Sequence, residues 1–122
     1  MFKSVHPIGD SDPQHIPVRD LAPGVAFYVN VLGFQVTEIT STHANLHRDA
    51  VQIRLDKNDL DPEQFSLYFE VEDVAALREE YAAKLLHPSE LRMDTYGENR
   101  YQVFFVKEPY GVCFCLGTKQ LA

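Results

Sequence analysis

Tryptophan is absent from this 122-residue chain, and cysteine, methionine and glycine are scarce, at two, two and six residues. Two cysteines are too few for a disulfide-stapled scaffold or a four-ligand structural zinc site. No apolar run approaches the roughly 20 residues that span a bilayer, and no basic stretch followed by an apolar one opens the chain as a secretory leader would. Basic side chains are also few, with 11 Lys and Arg against 18 Asp and Glu. The resulting net charge of -7 repels phosphate backbones and anionic lipid surfaces. The expectation is a cytoplasmic protein with neither nucleic acid nor membrane as a partner.

What is present is ample apolar material: 45% hydrophobic and 11% aromatic residues, with no low-complexity tract. That composition suits one folded domain with a real core and room for one site. Cys113 and Cys115 lie two apart in a strand-like run, side chains pointing the same way on a backbone too extended to bridge them. Free thiols in a reducing compartment are expected.

The pattern along the chain is a duplication. Val18 to Leu32 (VRDLAPGVAFYVNVL) and Val71 to Leu85 (VEDVAALREEYAAKL) align at an offset of 53 positions, laying Val18, Asp20, Leu21, Tyr28 and Leu32 over Val71, Asp73, Val74, Tyr81 and Leu85. Gln14 to Arg19 alternates as a half-buried strand does. Asp20 is placed to cap a helix carrying the stripe Leu21, Val25, Tyr28, Val29 and Leu32, with Gly33 as its stop. Three β-rich runs follow, at Phe34 to Thr40, Thr42 to His47 and Ala50 to Leu55. The polar stretch Lys57 to Gln64 reads as a connection. The order then repeats: a strand at Phe65 to Val71, a helix capped by Asp73 with the stripe Val74, Leu77, Tyr81 and Leu85, and strands near Glu90 to Asp94, Arg100 to Val106 and Val112 to Leu116. Val51, Ile53 and Leu55 match Val112, Phe114 and Leu116 at an offset of 61. The expected fold class is α+β: two βαβββ modules in tandem, about 14–56 and 65–117, within one domain spanning 14–122. Residues 1–13 have no counterpart and read either as an extra edge strand or as a mobile arm.

VRDLAPGVAFYVNVLGF, VEDVAALREEYAAKL and FFVKEPYGVCF together resemble the vicinal oxygen chelate superfamily, which includes glyoxalase I, bleomycin resistance proteins and extradiol dioxygenases. The turn Glu108-Pro109-Tyr110-Gly111 stands where that family usually has Asp-Pro-x-Gly-Asn, so Val112 replaces a side chain that usually caps the turn. The resemblance implies curved mixed sheets with a cleft between concave faces, and a homodimer, as many members form, with the cleft either within one chain or shared with the partner. It also implies, for metal-using members, His, Gln or Glu ligands at positions that fall here on Pro13, Ser66 and Cys115. None of these supplies the ligand. His15 has the strand parity of the first position, and His43 and His47 are four apart on a strand, roughly 13 Å, too far for one ion. No metal, no cofactor and no catalytic residue is therefore expected.

Strand parity assigns His15, Gln52, Arg54, Ser66, Tyr68, Glu70, Tyr101, Phe105, Cys113 and Cys115 to the ligand-facing set, with His43 beside them and Pro17, Val103 and Asn45 filling in. Arg54 is suited to a carboxylate or phosphate unless Glu70 neutralises it; Tyr68, Tyr101 and Phe105 offer ring faces. The branch of the family that sequesters an antibiotic or metabolite without altering it is the nearest analogue. Two alternatives stand beside it: a metal-dependent lyase or dioxygenase with an atypical centre using His15 or His6, and an interaction module whose cleft is filled by its own side chains.

Overall fold

The computed structural model describes residues 1–84 and 87–120. The chain runs β1 (Phe2–Pro7), β2 (Ile16–Val18), α1 (Leu21–Asn30), β3 (Gln35–Ile39), β4 (His43–Arg48), β5 (Val51–Lys57), a single 3-10 turn (Pro62–Gln64), β6 (Ser66–Val71), α2 (Val74–Ala83), β7 (Arg92–Tyr96), β8 (Asn99–Lys107) and β9 (Cys113–Gln120). The fold is the expected α+β class. One sheet has the order β2-β5-β4-β3 and the other β1-β6-β9-β8-β7. In each, the strand before the helix pairs parallel with the last strand of its unit, β2 with β5 and β6 with β9. The helices bear out the 53-residue offset, since α1 and α2 are ten residues each and stand in that register. Leu85, expected to end the second stripe, lies outside the described residues.

Both helices begin at an aspartate, yet only one aspartate caps. Asp73 accepts a hydrogen bond from the Ala76 amide at 3.0 Å. Asp20 makes no such bond. The third helical position after Asp20 is Pro23, which has no N–H to offer. At the other end of α1, Gly33 adopts φ +84 and lets the Phe34 amide reach the Tyr28 carbonyl at 3.0 Å.

β1 settles the choice left open for the first residues. It joins the edge of the second sheet by antiparallel pairing with β6. Phe2, 1% exposed, is its anchor. Its ring meets Phe34 at 5.6 Å and Phe69 at 5.5 Å, edge to face, so a residue of each repeat packs on it. Burial of such a ring contributes about 1.5–3 kcal/mol. Arg48 lies over it at 4.6 Å, donates to the Leu32 carbonyl at 2.7 Å and holds Glu80 of α2 through two 2.9 Å bonds.

The apolar faces of the two sheets share one core. Ile16, Val18, Leu46, Ile53 and Leu55 of the first sheet join Leu67, Phe69, Phe104, Phe114 and Leu116 of the second, with Tyr28, Leu77 and Tyr81 from the helices. Tyr28 of α1 touches Phe114 of β9 at 5.8 Å, and the Tyr81 hydroxyl of α2 donates to the Leu32 carbonyl at 3.1 Å. Because both apolar faces turn inward to that core, the two polar faces turn away from it.

Candidate functional site

On the second sheet, the alternate residues of β6, β8 and β9 rise on the polar face: Ser66, Tyr68 and Glu70, then Tyr101, Val103 and Phe105, then Cys113 and Cys115. Register places Tyr68 beside Cys115 and Cys115 beside Phe105. The Tyr68 and Tyr101 rings meet at 5.9 Å, edge to face, and the His6 ring of β1 lies 6.0 Å from Tyr68 on its other side. Val103 is buried beneath them although it lies outside the main core. This is an aromatic platform one side chain thick.

Its geometry depends on a residue with no side chain. A Cβ at Gly117 would stand 2.9 Å from the Tyr68 hydroxyl and 2.7 Å from Val103. Glycine therefore lets the phenol lie across β9 and donate to Glu70 at 2.6 Å. The other oxygen of Glu70 accepts from the Lys119 amide at 2.9 Å. Burial, then the hydrogen bond to Glu70, pushes the Tyr68 hydroxyl well above its ordinary range. At neutral pH it is a neutral hydrogen-bond donor.

The cysteines are free and half-buried. Burial pushes Cys115 up to about 12, with Asp94 and Cys113 adding to the rise, and burial also raises Cys113. Neither is a thiolate nucleophile at neutral pH. Arg92 of β7, a residue the strand patterns did not single out, covers the Phe105 ring at 4.8 Å and pairs with Asp94 at 3.2 Å. β7 starts at Arg92 where the pattern suggested Glu90, and nothing in its alternation fixes its register on β8. Gly117 escaped notice for a similar reason, since β9 continues past the expected end at Leu116.

The first sheet presents a different surface. His15 Nδ1 lies 2.6 Å from Asp56, whose other oxygen accepts from Arg54 at 3.2 Å. His43 contacts Glu38 at 3.1 Å, and Asn45 lies next to it. Gln52 is exposed beside His47. Arg54 is thus neutralised by Asp56 on its own strand; the alternative pairing with Glu70 does not form, because Glu70 belongs to the other sheet. Pro17 is buried and contributes no polar group.

The predicted residues accordingly divide into two sets. Ser66, Tyr68, Glu70, Tyr101, Phe105, Cys113 and Cys115 come together on one face, while His15, His43, Gln52 and Arg54 gather on another that points away from it. A hollow of about 130 Å³ lies elsewhere, between Phe2, Arg48, Val71, Leu77 and Glu80. A chelated catalytic metal does not fit either face. Pro13, Ser66 and Cys115 occupy the positions concerned, and the described residues contain no group of three His, Cys, Asp or Glu side chains arranged to hold an ion.

Paired strand-helix-three-strand units with open polar sheet faces define a class of scaffold that carries its chemistry on the sheets. The model of the Glyoxalase/Bleomycin resistance protein/Dioxygenase superfamily matches residues 8–116, and the chain belongs to that superfamily. Similar solved structures include the bleomycin-binding protein from bleomycin-producing Streptomyces verticillus complexed with copper(II)-bleomycin, at 21% identity and TM-score 0.73, covering 90% of this chain and 96% of that one. The bleomycin resistance determinant encoded on the transposon Tn5 has 18% identity and TM-score 0.74, with 93% and 100% covered. Lactoylglutathione lyase from Agrobacterium tumefaciens has 15% identity and TM-score 0.65, with 85% and 89% covered. At such identities the likeness is one of fold. No curated protein sequence matches the chain.

Proposed function

We infer that this protein binds a small, partly aromatic molecule and releases it unaltered, without a metal, as a sequestering protein of the bleomycin-resistance type. The aromatic platform of Tyr68, Tyr101 and Phe105 carries this reading. Rings held rigidly by Val103, Gly117 and the Glu70 hydrogen bond offer stacking area at little further entropic cost. The neutral thiols and the protonated phenol beside them provide no activated nucleophile or base. A bleomycin-binding protein and a bleomycin resistance determinant among the similar structures support the same class of role. Free thiols suit a cytoplasmic setting.

One sheet face covers one side of a ligand, whereas small-molecule sites bury about 70–90% of their guest. The reading therefore includes a homodimer, in which the charged face of one copy, bearing His15, His43, Gln52 and Arg54, closes over the aromatic face of the other. The unpaired edges at β3 and β7 leave room for such an approach.

Calorimetry and thermal melting with bleomycin and a panel of planar aromatic antibiotics test the reading. Saturable binding, a raised melting temperature and recovery of the compound with unchanged mass are expected. Tyr68→Ala and Phe105→Ala should each weaken binding by about 2- to 12-fold, the worth of one ring contact. Conversion of the compound to a product, or a panel in which nothing shifts the melt, overturns it.

A further inference from the structure

Strand β9 carries a pair of groups that the binding reading leaves unused. Cys113 and Cys115 flank Phe114, whose ring is buried in the core at 1% exposure, so both thiols stand on the polar face. Two strand rises separate them by about 6.6 Å. A disulfide needs its Cβ atoms about 3.5–4.5 Å apart, so the pair cannot close on itself without bending the strand. Two metal–sulfur bonds of about 2.3 Å laid in line span about 4.6 Å, and sulfurs turned toward one another in staggered rotamers meet that span.

The surroundings decide which ion suits two thiolates. No third His, Cys, Asp or Glu is arranged to join them among the described residues, which disfavours Zn(II) and other ions that take three or four protein ligands. Soft thiolates select Cu(I), for which two ligands in line suffice. The complex carries one negative charge, and cations flank it. Burial opposes ionisation of both thiols, while Lys107 of β8 beside Cys113 and Arg92 beside Cys115 favour the anions. Asp94 opposes that effect and is itself paired with Arg92. Tyr68, neutral and tied to Glu70, adds no charge.

We propose that Cys113 and Cys115 together form a two-coordinate site for Cu(I) on the aromatic face. Binding forms two Cu–S bonds and breaks two S–H bonds, leaving a bis-thiolate copper anion and two protons released to solvent, with no change in oxidation state. Two thiolates in line suffice to hold Cu(I), so the site needs no third protein ligand. Both ligands come from β9, and the site stands whether or not an aromatic ligand binds.

Full-length reduced protein, titrated anaerobically with Cu(I) against a coloured Cu(I) chelator, tests the proposal. One ion per chain, two protons released per ion and protection of both thiols from iodoacetamide are expected, with Zn(II) producing none of these. Two displaced protons make the apparent affinity fall about 100-fold for each pH unit of acidification. Cys113→Ser or Cys115→Ser should each weaken binding at least 100-fold. A variant that binds like the parent, half an ion per chain, or either thiol remaining reactive in the loaded protein would overturn it. Should the variants fail to fold, the alkylation of the parent protein decides alone.

Discussion

Glu108 shows how far one residue can depart from its family's pattern and keep its task. Val112 stands where a capping side chain is usual, and its own side chain is wholly buried. The cap comes instead from Glu108, whose carboxylate accepts from the Val112 amide at 3.0 Å. The arrangement leaves its other oxygen, and the nearby hydroxyl of Tyr28, buried without a partner among the described residues. Burial raises the Glu108 carboxyl above its ordinary range, and the amides of Val112, Tyr110 and Gly111 pull it partway back. The folded state thus holds this proton more tightly than the unfolded chain. Its contribution is complete in acid, below the ordinary carboxylate range, and is lost as pH rises through the raised folded value. Glu108→Gln keeps an oxygen for the Val112 amide and has no charge to bury. Urea unfolding from pH 4 to pH 7 should show the variant gaining on the parent as pH rises; a constant difference would contradict this.

Elements were legible where local chemistry and packing agree. Alternation and helical stripes located both helices and eight of the strands, because burial of one face imposes those periods directly. Disagreement appeared where a neighbour intervened. An aspartate before an apolar stripe signals a cap twice in this chain, and Pro23 cancels the first. Asp73→Ala should therefore cost about 1 kcal/mol, and Asp20→Ala only a few tenths, in thermal or urea unfolding. Equal losses would show that Asp20 caps in solution. β1 was undecidable from pattern alone, since six residues without a repeat partner carry no period to compare. Its place rests on Phe2 entering a gap between Phe34 and Phe69 that only the assembled fold contains.

For the whole molecule, duplication made the architecture readable, while the site was readable only as a list of alternate residues. Parity identifies which side chains leave the core on each strand. It does not tell which sheets face one another, and so it grouped Arg54 with Glu70 although they belong to different sheets. If a second copy supplies the missing cover, light scattering should give twice 13.9 kDa at working concentration. Dilution should dissociate the pair, and an aromatic ligand should lower the concentration at which it forms. A monomer at every concentration, with ligand still bound, would mean that one face suffices.

The covalent joining of two like units also has a bearing on descent. Two separate identical chains must change together, whereas tandem copies in one polypeptide drift independently. Strands that correspond by position now carry unlike chemistry, Arg54 with its carboxylate neighbour on β5 and a thiol at Cys115 on β9. One half carries charge and the other rings, so the polar face of either half can change while its twin preserves the frame.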